Sequence, residues 1–345
     1  MAAVVVASSR SWRVARSLLF QLDPERAHRL AVALVARLGH HRAGRALLRA
    51  LVPQAVDDPV TVMGIRFPNR VGLAAGWDKD ALALAGLLEV GFGHVEIGTI
   101  TPRPQAGNAK PRVFRLPADQ ALVNRMGFPG LGMDAAAAAL AGRSAGQPGV
   151  VGVNLGRNKA TDNTDAAADY LAVLERLAPW AGYIAINVSS PNTPGLRGLQ
   201  QRDELEALVA AVAARRDVLV ATLGRPLPIA VKIAPDLDEA GLDAVVEAAL
   251  RGGADGIIAT NTTLARDGLH DARQAEQGGL SGRPLERRAR EVVAGVARRV
   301  DGKLAVIAVG GVHCADDARV RRDLGADLVQ LYTGLIFRGP GLIAE

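Results

Sequence analysis

Runs of apolar residues recur along the chain from residue 70 onward, and stretches with a helical spacing of Ala and Leu separate them. Nearly all of the apolar runs are continuous, which is typical of strands that are buried on both faces of a parallel sheet. Eight runs are predicted to be strands, at residues 71–75, 94–100, 150–155, 183–188, 229–233, 256–260, 304–309 and 328–332. The predicted helices between them include residues 81–90, 164–178, 202–223, 237–251 and 285–299.

The order of these elements predicts an α/β fold, a (β/α)8 TIM barrel. Strand and helix alternate eight times within about 250 residues, which is the typical length of such a barrel. A doubly wound open sheet is the alternative, and it carries a glycine-rich turn after its first strand. Residues 74–79 (AAGWDK) cover the end of the first strand here and lack that glycine spacing. We therefore predict a barrel that occupies residues 53–345.

Residues 1–52 have a different pattern and are predicted to form a small N-terminal helical extension. Asp23 followed by Pro24 indicates a helix start, since aspartate caps a helix and proline suits its first position. This helix is expected to end near Leu38, and a second one covers residues 41–51. Leucines and arginines are interleaved along both, so the helices either dock on a membrane surface or pack on the barrel with solvated arginines. Helical spacing supports both readings equally, and residues 53–59 are predicted to be the linker.

The positive charge of the chain is concentrated at its N-terminus. Residues 1–50 contain nine arginines and two acidic residues, a net charge of +7, whereas the whole chain carries +6. The remaining residues therefore sum to −1. A basic segment implies an anionic partner, either nucleic acid or a phospholipid surface. Because the segment shows no aromatic platform on which bases would stack, we expect an anionic lipid surface and no nucleic acid.

Other features of the composition exclude several kinds of site and location. The 345 residues include one cysteine, Cys314, so we expect neither a disulfide within the chain nor a cysteine-based metal site. No stretch approaches the roughly 18 apolar residues that span a bilayer. The apolar residues 1–7 precede the first arginines, whereas a signal peptide has its basic residues first. We therefore expect an intracellular protein without a bound metal.

Polar side chains and glycines are concentrated where the predicted strands end. In a barrel, the C-terminal ends of the strands and the loops beyond them form the active site. These residues are Lys79, Thr99, Asn154, Asn187, Ser189, Ser190, Lys232, Thr260, Asn261, Thr262, Gly310, Gly311, Tyr332, Thr333 and Gly334. Amides and hydroxyls that converge on one mouth suit a flat heterocycle with carbonyl and N–H groups. Glycine-rich turns after the last two strands suit a phosphate, so together with the two lysines they indicate a phosphate-bearing flavin.

Several motifs resemble those of dihydroorotate dehydrogenases. Residues 187–196 (NVSSPNTPGL) resemble the signature motif of that family. The other matching motifs are residues 74–80 (AAGWDKD), 97–104 (IGTITPRP), 124–128 (NRMGF), 259–263 (ATNTT) and 278–282 (GGLSG). The matches follow the family's order and span residues 11–344. Residues 20–28 (FQLDPERAH) further resemble the N-terminal extension of the membrane-bound class, which uses a quinone.

The resemblance implies that the chain oxidises (S)-dihydroorotate to orotate, the redox step of pyrimidine synthesis. It implies one FMN per chain, and a membrane quinone that enters between the N-terminal helices near His28 and Arg29. We expect a monomer, attached peripherally to the cytoplasmic side of a bacterial cell membrane. Two alternatives remain open: a soluble acceptor such as fumarate or a nicotinamide, and an inactive barrel that binds membrane or nucleic acid through residues 1–50. The N-terminal extension counts against a soluble acceptor. So does Ser190, because soluble relatives have a cysteine at this position.

The resemblance also assigns roles to residues at the predicted mouth. Ser190 is implied to be the base that takes a proton from C5 of dihydroorotate while hydride leaves C6, and soluble relatives have a cysteine at this position. Thr193 is the nearest candidate in the motif to carry that proton away. The residues implied to bind FMN are Ala75, Gly76, Lys79, Thr99, Asn154, Asn187, Lys232, Thr260, Gly282, Gly311, Tyr332 and Thr333. The residues implied to bind the substrate are Lys79, Asn124, Arg125, Met126, Gly127, Phe128, Asn187, Asn192, Asn261 and Thr262.

One loop has an implied motion, and two positions depart from the family's pattern. Residues 190–200 follow the fourth strand and are expected to form a lid that excludes water. Trp77 stands where the family often has a smaller or different apolar residue, and it is expected to crowd the edge of the flavin. Cys314 follows the glycines after the seventh strand, and we assign it no chemistry.

Overall fold

A closed barrel of eight parallel strands forms the body of the protein, in a computed structural model that describes residues 9–54, 57–142 and 149–345. The strands in these ranges are β1 (Val60–Val62), β2 (Ile65–Phe67), β3 (Val71–Leu73), β4 (His94–Ile100), β5 (Val113–Leu116), β6 (Ala121–Asn124), β7 (Val150–Leu155), β8 (Tyr183–Asn187), β9 (Ile229–Ile233), β10 (Gly256–Ala259), β11 (Gly279–Gly282), β12 (Ala305–Val309) and β13 (Leu328–Leu331). The barrel consists of β3, β4, β7, β8, β9, β10, β12 and β13, and β13 pairs with β3 to close it. The predicted fold is confirmed, and each predicted strand ends within two residues of the observed one.

Helices cover the outside of the barrel and also precede it in the chain. Within the described ranges they are α1 (Ser9–Phe20), α2 (Pro24–His40), α3 (Arg42–Leu51), α4 (Leu84–Glu89), α5 (Met133–Ala141), α6 (Ala166–Leu177), α7 (Arg202–Leu223), α8 (Glu239–Gly252), α9 (Glu286–Val300), α10 (Ala315–Asp323) and α11 (Thr333–Arg338). The predicted helix at residues 202–223 is confirmed to the residue by α7. The N-terminal helical extension is confirmed by α2 and α3, and α1 adds a helix that was not predicted.

Local side chains set the starts of two helices. Asp23 caps α2, as predicted, because its carboxylate accepts a backbone N–H of the first turn at 2.9 Å. α4 begins at Leu84, three residues later than predicted. The carboxylate of Asp78 accepts the backbone N–H groups of Leu82 and Ala83, both at 2.9 Å. This turn takes the place of the first helical turn.

A three-stranded antiparallel sheet was not predicted, and it contributes to the mouth of the barrel. β6 lies between β5 and β11, so the sheet joins the segment after β4 to the segment after β10. Its apolar side chains, which include Phe114, Leu116 and Leu280, form a small core of their own. Four-residue strands that pair across so much of the chain leave little periodic signal in the sequence. The sheet carries Asn124 to the cavity described below.

An apolar plug closes the end of the barrel that lies opposite to the mouth. The β1–β2 hairpin contributes Phe67, which is fully buried and packs edge-on against the ring of His94, with centroids 5.4 Å apart. The ring of His94 also contacts that of Tyr183 at 6.1 Å. A Cβ atom at Gly72 would lie 2.0 Å from Nε2 of His94, so this position requires glycine. The plug leaves the C-terminal ends of the strands as the route for ligands.

His94 is expected to make the fold sensitive to acid. Burial lowers the pKa of its imidazole from 6.5 to about 4, against a smaller opposing effect of Glu96. Because the unfolded chain binds the proton more readily, stability is complete above pH 6.5 and is lost as the pH falls toward 4. Between pH 7 and 4.5 the wild type should lose about 2–3 kcal/mol more stability than a His94→Phe variant. Urea unfolding at both pH values measures this difference, and equal losses in the two proteins would contradict the prediction.

The N-terminal helices are docked on the barrel through close packing and ion pairs. α2 crosses α4 at Gly39, where a Cβ atom would lie 2.4 Å from the backbone nitrogen of Gly86. The buried guanidinium of Arg112 donates two hydrogen bonds to Glu25, at 2.8 and 3.1 Å. Arg115, also buried, donates to two backbone carbonyls near the end of α1, at 2.9 and 2.8 Å. One face of these helices is therefore packed on the barrel.

The other face of the N-terminal helices exposes large apolar side chains. Those of α1, α2 and α3 that are 38–68% exposed are Val14, Leu18, Leu30, Leu34 and Leu47. Exposed apolar side chains that gather in one region mark a surface for a protein or membrane partner. No helix in the described ranges has both the length and the apolarity to cross a bilayer. Packing on the barrel is thus confirmed for one face of the helices, and docking of the other face on a membrane stays a prediction.

Candidate functional site

An elongated cavity of about 880 Å³ extends from the mouth of the barrel to the N-terminal helices. Most of the residues predicted to bind a ligand line it. They are Ala75, Gly76, Lys79, Thr99, Asn124, Met126, Gly127, Phe128, Asn187, Ser190, Asn192, Lys232, Thr260, Asn261, Thr262, Gly282, Gly311, Tyr332 and Thr333. Closure of the barrel therefore brings together residues that are up to 258 positions apart in the chain, from Ala75 to Thr333.

Two of the predicted residues do not reach the cavity wall. Asn154 is fully buried one layer below it, where its amide donates to Glu96 at 2.8 Å. Arg125 turns away from the cavity, since its guanidinium pairs with Glu276 at 2.8 Å and lies 4.5 Å above the ring of Phe114. Arg125 thus braces the second sheet from outside, and its guanidinium does not line the cavity, while its contact with the substrate stays a prediction. Its place in the motif beside Asn124 was the only signal for that contact.

The deep end of the cavity has a polar floor built around Glu96. One carboxylate oxygen lies 3.1 Å from Nζ of Lys232 and accepts from Asn154 at 2.8 Å. The other accepts from Gln330 at 2.8 Å and from the hydroxyl of Tyr183 at 3.1 Å. Burial would raise the pKa of Glu96, but the ammonium of Lys232 and these hydrogen bonds outweigh it and hold the pKa below its ordinary value. Lys232 is therefore paired, as its buried position requires, and it still lines the cavity.

Sequence reasoning missed Glu96 and Gln330, although a signal was present. Each lies within an otherwise apolar predicted strand, and a buried charge or amide needs a partner. The carbonyl oxygen Oε1 of Gln330 is buried and has no hydrogen-bond partner in the described part of the chain. Because Gln330 lines the cavity, this oxygen is an acceptor for an N–H group of a ligand.

A row of amides and hydroxyls extends from this floor toward the mouth. The amide of Asn187 donates to the hydroxyl of Thr99 at 2.8 Å and to the amide oxygen of Asn154 at 3.1 Å. Ser189 donates to Asn187 at 3.2 Å, and Asn261 donates to the hydroxyl of Ser189 at 3.0 Å. These bonds fix the orientation of each amide, so the wall presents defined donors and acceptors to a heterocycle.

Ser190 lies in the loop after β8 and is 6% exposed. Its hydroxyl oxygen accepts the backbone N–H of Asn192 at 3.3 Å. The side-chain amide of Asn192 in turn donates to Asn124 of β6 at 3.2 Å. Three residues after Ser190, the hydroxyl of Thr193 is buried without a hydrogen-bond partner in the described ranges. The loop therefore holds one hydroxyl among amides and a second that is available for a further hydrogen bond.

Two arginines hold the loop after β8, which contains the predicted lid, against its neighbours. Arg197 donates to the backbone carbonyls of Ser189 and Thr262, both at 3.0 Å. Arg157, from the loop after β7, donates to the carbonyl of Pro194 at 2.7 Å. The segment that carries Ser190 is thus tied to the loops after β7 and β10, and these ties limit the positions that its hydroxyl can adopt.

Lys79 reaches the cavity from the loop after β3. Its ammonium donates to the carbonyl oxygen of Gly76. Burial lowers the pKa of Lys79 from 10.5 to about 8, although Asp80 and Asp78 act in the opposite direction. Burial also raises the pKa of Asp78 from 3.8 to about 6. Lys79 is therefore a cation at neutral pH that loses its charge within the range in which enzymes are assayed.

Glycine-rich turns after β11, β12 and β13 form another part of the wall. Gly311 has a φ of +71°, and a Cβ atom there would lie 2.2 Å from the Cα atom of Glu286, so both backbone and space require glycine. The hydroxyls of Ser281 and Thr333 lie 2.8 Å apart, and both residues line the cavity. Ser281 is a further residue that sequence reasoning missed. Exposed backbone N–H groups and hydroxyls of this kind suit a phosphate.

The outer end of the cavity is apolar and belongs to the N-terminal helices. The ring of His28 packs edge-on against that of Trp77, with centroids 5.6 Å apart. Burial lowers the pKa of His28 from 6.5 to about 3, and Lys79 acts in the same direction, so the ring is neutral. Arg29, predicted to lie at the mouth with His28, does not line the cavity. The leucines at this end are Leu18, Leu19, Leu30, Leu34, Leu38, Leu47, Leu48 and Leu51.

Neither a metal ligand set nor the cysteine contributes to this site. In the ranges that the structure describes, no three His, Cys, Asp or Glu side chains are placed to hold a metal ion. Cys314 caps α10 and does not line the cavity. The described polar groups of the cavity wall include amides, hydroxyls and the ammonium groups of Lys79 and Lys232.

Comparison with known proteins gives concordant results in sequence and structure. The family model described as dihydroorotate dehydrogenase matches residues 59–345. The chain is 50% identical over 331 residues, 96% of each protein, to the dihydroorotate dehydrogenase (quinone) of Thiobacillus denitrificans. It is 52% identical over 337 residues, 97% of this chain and 90% of the relative, to that of Anaeromyxobacter dehalogenans. The ligand-free DHODH of Eimeria tenella superposes with a TM-score of 0.85 at 39% identity, covering 93% of this chain and 92% of the other.

Proposed function

Because this chain belongs to the dihydroorotate dehydrogenase family, we propose that it oxidises (S)-dihydroorotate to orotate in pyrimidine biosynthesis, with FMN as cofactor and a quinone as final acceptor. The observation that carries this proposal is the single cavity wall that joins Lys232, Ser190 and Lys79 to the apolar N-terminal helices. The length and polarity of that wall support two ligand positions, a polar one in the barrel and an apolar one at the helices. The match to the family model and to the relatives confirms the resemblance that the motifs indicated.

The polar floor and the glycine turns fit one FMN. Lys232 and the unpartnered oxygen of Gln330 offer a cation and an acceptor to a flavin ring, and Thr99 adds a hydroxyl. Gly311 and Thr333 would hold the phosphate through backbone N–H groups and a hydroxyl. Hydride acceptance and electron transfer to the quinone are the chemistry that FMN supplies when it is bound.

The amides at the mouth fit the substrate. Asn124, Asn187, Asn192 and Asn261 offer donors and acceptors to the ring amides and the carboxylate of dihydroorotate. Lys79 adds a positive charge for the carboxylate. Because the amides are hydrogen-bonded to one another, they are already oriented before the substrate arrives.

Ser190 is the residue that we propose takes the proton from C5 of dihydroorotate. Its hydroxyl is nearly buried and its loop is held by Arg197, so it has a defined position. As the Ser190 hydroxyl takes the proton from C5 it must pass on its own proton, and the Thr193 hydroxyl, buried and without a partner in the described residues, is our candidate to relay that proton toward solvent. Both side chains are buried within the predicted lid, residues 190–200, and this burial would exclude competing water.

The N-terminal helices are proposed to form the quinone entrance and a peripheral membrane contact. Their outer face exposes leucines that also line the cavity, so a quinone that leaves the lipid would meet apolar surface throughout. The exposed arginines of residues 9–52 would contact anionic headgroups. We propose that residues 1–52 act in this way as an entrance segment and residues 53–345 as the catalytic barrel, on the cytoplasmic side of the membrane and as a monomer.

A visible absorption spectrum of the purified protein tests the proposal directly. We expect one flavin per chain and bleaching of its absorbance by dihydroorotate in the absence of oxygen. A colourless protein would contradict the cofactor, and a flavin that dihydroorotate does not bleach would contradict the substrate. Reoxidation by a quinone but not by fumarate or a nicotinamide would separate the proposed acceptor from the soluble ones.

The kcat/KM for dihydroorotate should fall at alkaline pH because Lys79 loses its charge. Its pKa of about 8 means that it loses its charge as the pH rises through that value, and the substrate carboxylate then loses its cation. We expect kcat/KM, which reports the free enzyme, to fall about tenfold per pH unit above pH 8. A Lys79→Met variant should have a low kcat/KM that does not fall further as the pH rises above 8. If kcat/KM of the variant falls equally steeply above pH 8, a group other than Lys79 is responsible for the pH dependence.

A further inference from the structure

We propose that Glu96 is a positioning residue that aims Lys232 and Gln330 at the flavin and offsets the charge of the lysine, and that it thereby lowers the reduction potential of the bound FMN. The inference rests on the proposed function, since it needs a flavin above the polar floor. Glu96 itself does not line the cavity, whereas Lys232 and Gln330 do. Glu96 therefore acts through these two neighbours and not by contact with a ligand.

The hydrogen bonds of the floor show how Glu96 holds both neighbours. Its carboxylate is fully buried, and each oxygen serves one of the cavity-lining side chains. Oε1 lies 3.1 Å from Nζ of Lys232, and Oε2 accepts from Gln330 at 2.8 Å. Tyr183, also fully buried, donates to Oε2 and accepts a second hydrogen bond from Gln330 at 3.1 Å. The amide nitrogen of Gln330 thus donates to Glu96 and Tyr183 in the floor. Its oxygen Oε1 has no hydrogen-bond partner in the described residues and is available to a ligand.

Glu96 also determines the net charge beneath the ring. Lys232 and Glu96 carry opposite charges, so the floor as a whole is close to neutral. Reduction places negative charge on a flavin, and a nearby cation favours that state. Because the lysine lies nearer to the cavity than the carboxylate, the pair still favours reduction, but less than a lone ammonium would. A higher potential would ease hydride acceptance but would slow the transfer of electrons to a quinone, so an intermediate value serves both halves of the reaction.

A purely structural role for Glu96 makes a different prediction. A buried ion pair that only completes the core would affect stability when broken, since the remaining charge is left without a partner. It would leave the potential of the bound flavin unchanged. The reduction potential therefore distinguishes positioning from packing, and a measurement of activity alone does not.

The test is a Glu96→Gln variant, with the potential of its bound FMN measured by anaerobic titration against a reference dye. Glutamine keeps the shape and can still accept from Gln330, but it removes the negative charge. We expect the ratio of reduced to oxidised flavin at a given dye potential to increase at least tenfold, which is about 30 mV for a two-electron couple. Thermal unfolding of the FMN-free protein gives the structural effect separately.

Glu89→Gln is the matched control. Glu89 is also a buried carboxylate, 4% exposed, and it pairs with Arg49 at 2.7 Å, but it lies on α4 and does not line the cavity. This variant should be less stable with a flavin potential equal to that of the wild type. An unchanged potential in Glu96→Gln, or an equal shift in both variants, would overturn the proposal.

A double variant keeps the test decisive if Glu96→Gln does not fold. Glu96→Gln combined with Lys232→Met removes both charges at once, which buried ion pairs often tolerate. Its potential should be higher than that of a Lys232→Met single variant, because only the double variant also lacks the negative charge of Glu96. Equal potentials in these two variants would refute the inference here too. A wild-type protein that binds no FMN, or whose FMN dihydroorotate does not bleach, would instead contradict the proposed function.

Discussion

Replacement of Ser190 by alanine is expected to lower the rate of flavin reduction by dihydroorotate about 10²–10⁴-fold, the usual contribution of a positioned base. The substitution removes a hydroxyl whose only described hydrogen bond is from the backbone of Asn192, so the loop should keep its shape. The clamp formed by Arg197 does not involve the hydroxyl and should persist. FMN content and the dissociation constant of orotate should therefore stay within about twofold of the wild type.

Rapid-mixing measurement of flavin bleaching gives this rate without the quinone step. Ser190→Cys is the informative companion, because soluble relatives are implied to use cysteine at this position. It should restore part of the rate, with an optimum at lower pH than that of serine, since a thiol gives up its proton more readily. A Ser190→Ala variant that retains a near-normal rate would exclude the proposed base. Loss of orotate binding would show that the serine holds the substrate instead.

Replacement of Leu18, Leu30 and Leu34 by serine is expected to weaken binding to lipid vesicles roughly 30-fold or more. Each leucine gains about 1.5–3 kcal/mol when it is fully removed from water, and all three are more than half exposed in this structure. Even half of that gain, summed over three side chains, is more than about 2 kcal/mol. Because the three also line the outer end of the cavity, reduction of a lipid-soluble quinone should fall in parallel.

The matched control is a triple substitution of Leu131, Val218 and Leu264 by serine. These residues are 53–57% exposed but lie outside the N-terminal helices and do not line the cavity. Binding to vesicles of phosphatidylglycerol and phosphatidylcholine should be unchanged in the control. Both triple variants should reduce a soluble dye at the wild-type rate. Equal vesicle binding by the two triple variants would contradict the membrane contact.

Point substitutions are preferable to removal of the N-terminal helices. Deletion would remove Glu25, the carboxylate partner of the buried Arg112, and both backbone carbonyls to which the buried Arg115 donates. It would also expose the surface of α4 at Gly86. Loss of quinone reduction in a truncated protein would then report the stability of the barrel as much as the entrance. The triple leucine substitution avoids this because its three side chains are more than half exposed and take no part in these contacts.

The elements of this fold that depend on a few neighbouring residues could be predicted from the sequence. The eight barrel strands were predictable because a strand buried on both faces is apolar at every position, and that pattern lies within five to seven residues. α7 was predictable over its full length for the same reason, since its spacing and ends are local. Asp23 was recognisable as a cap from its own type and its neighbour Pro24. The ordered motifs likewise identified the family without any knowledge of contacts.

What the sequence did not determine are pairings between distant segments and the directions of side chains. The sheet of β5, β6 and β11 depends on contact between two inserted segments, and neither has a periodic pattern of its own. Arg125 stands in a binding motif, yet its guanidinium faces Glu276 on the outer side. The late start of α4 arises because Asp78 competes for backbone N–H groups, which propensity alone does not reveal.

By itself, then, the sequence determined the barrel, its family and most of the residues at its mouth, because burial and turn chemistry act over a few neighbouring residues. Only the tertiary structure decided which buried charges meet. Glu96 and Lys232 are 136 residues apart and become a pair when β4 and β9 close into one ring. Docking of α2 on the barrel makes His28 neutral, and the hydrogen bonds of the floor leave one oxygen of Gln330 free. Desolvation and hydrogen bonding depend on everything that surrounds a group, and only the folded chain defines those surroundings.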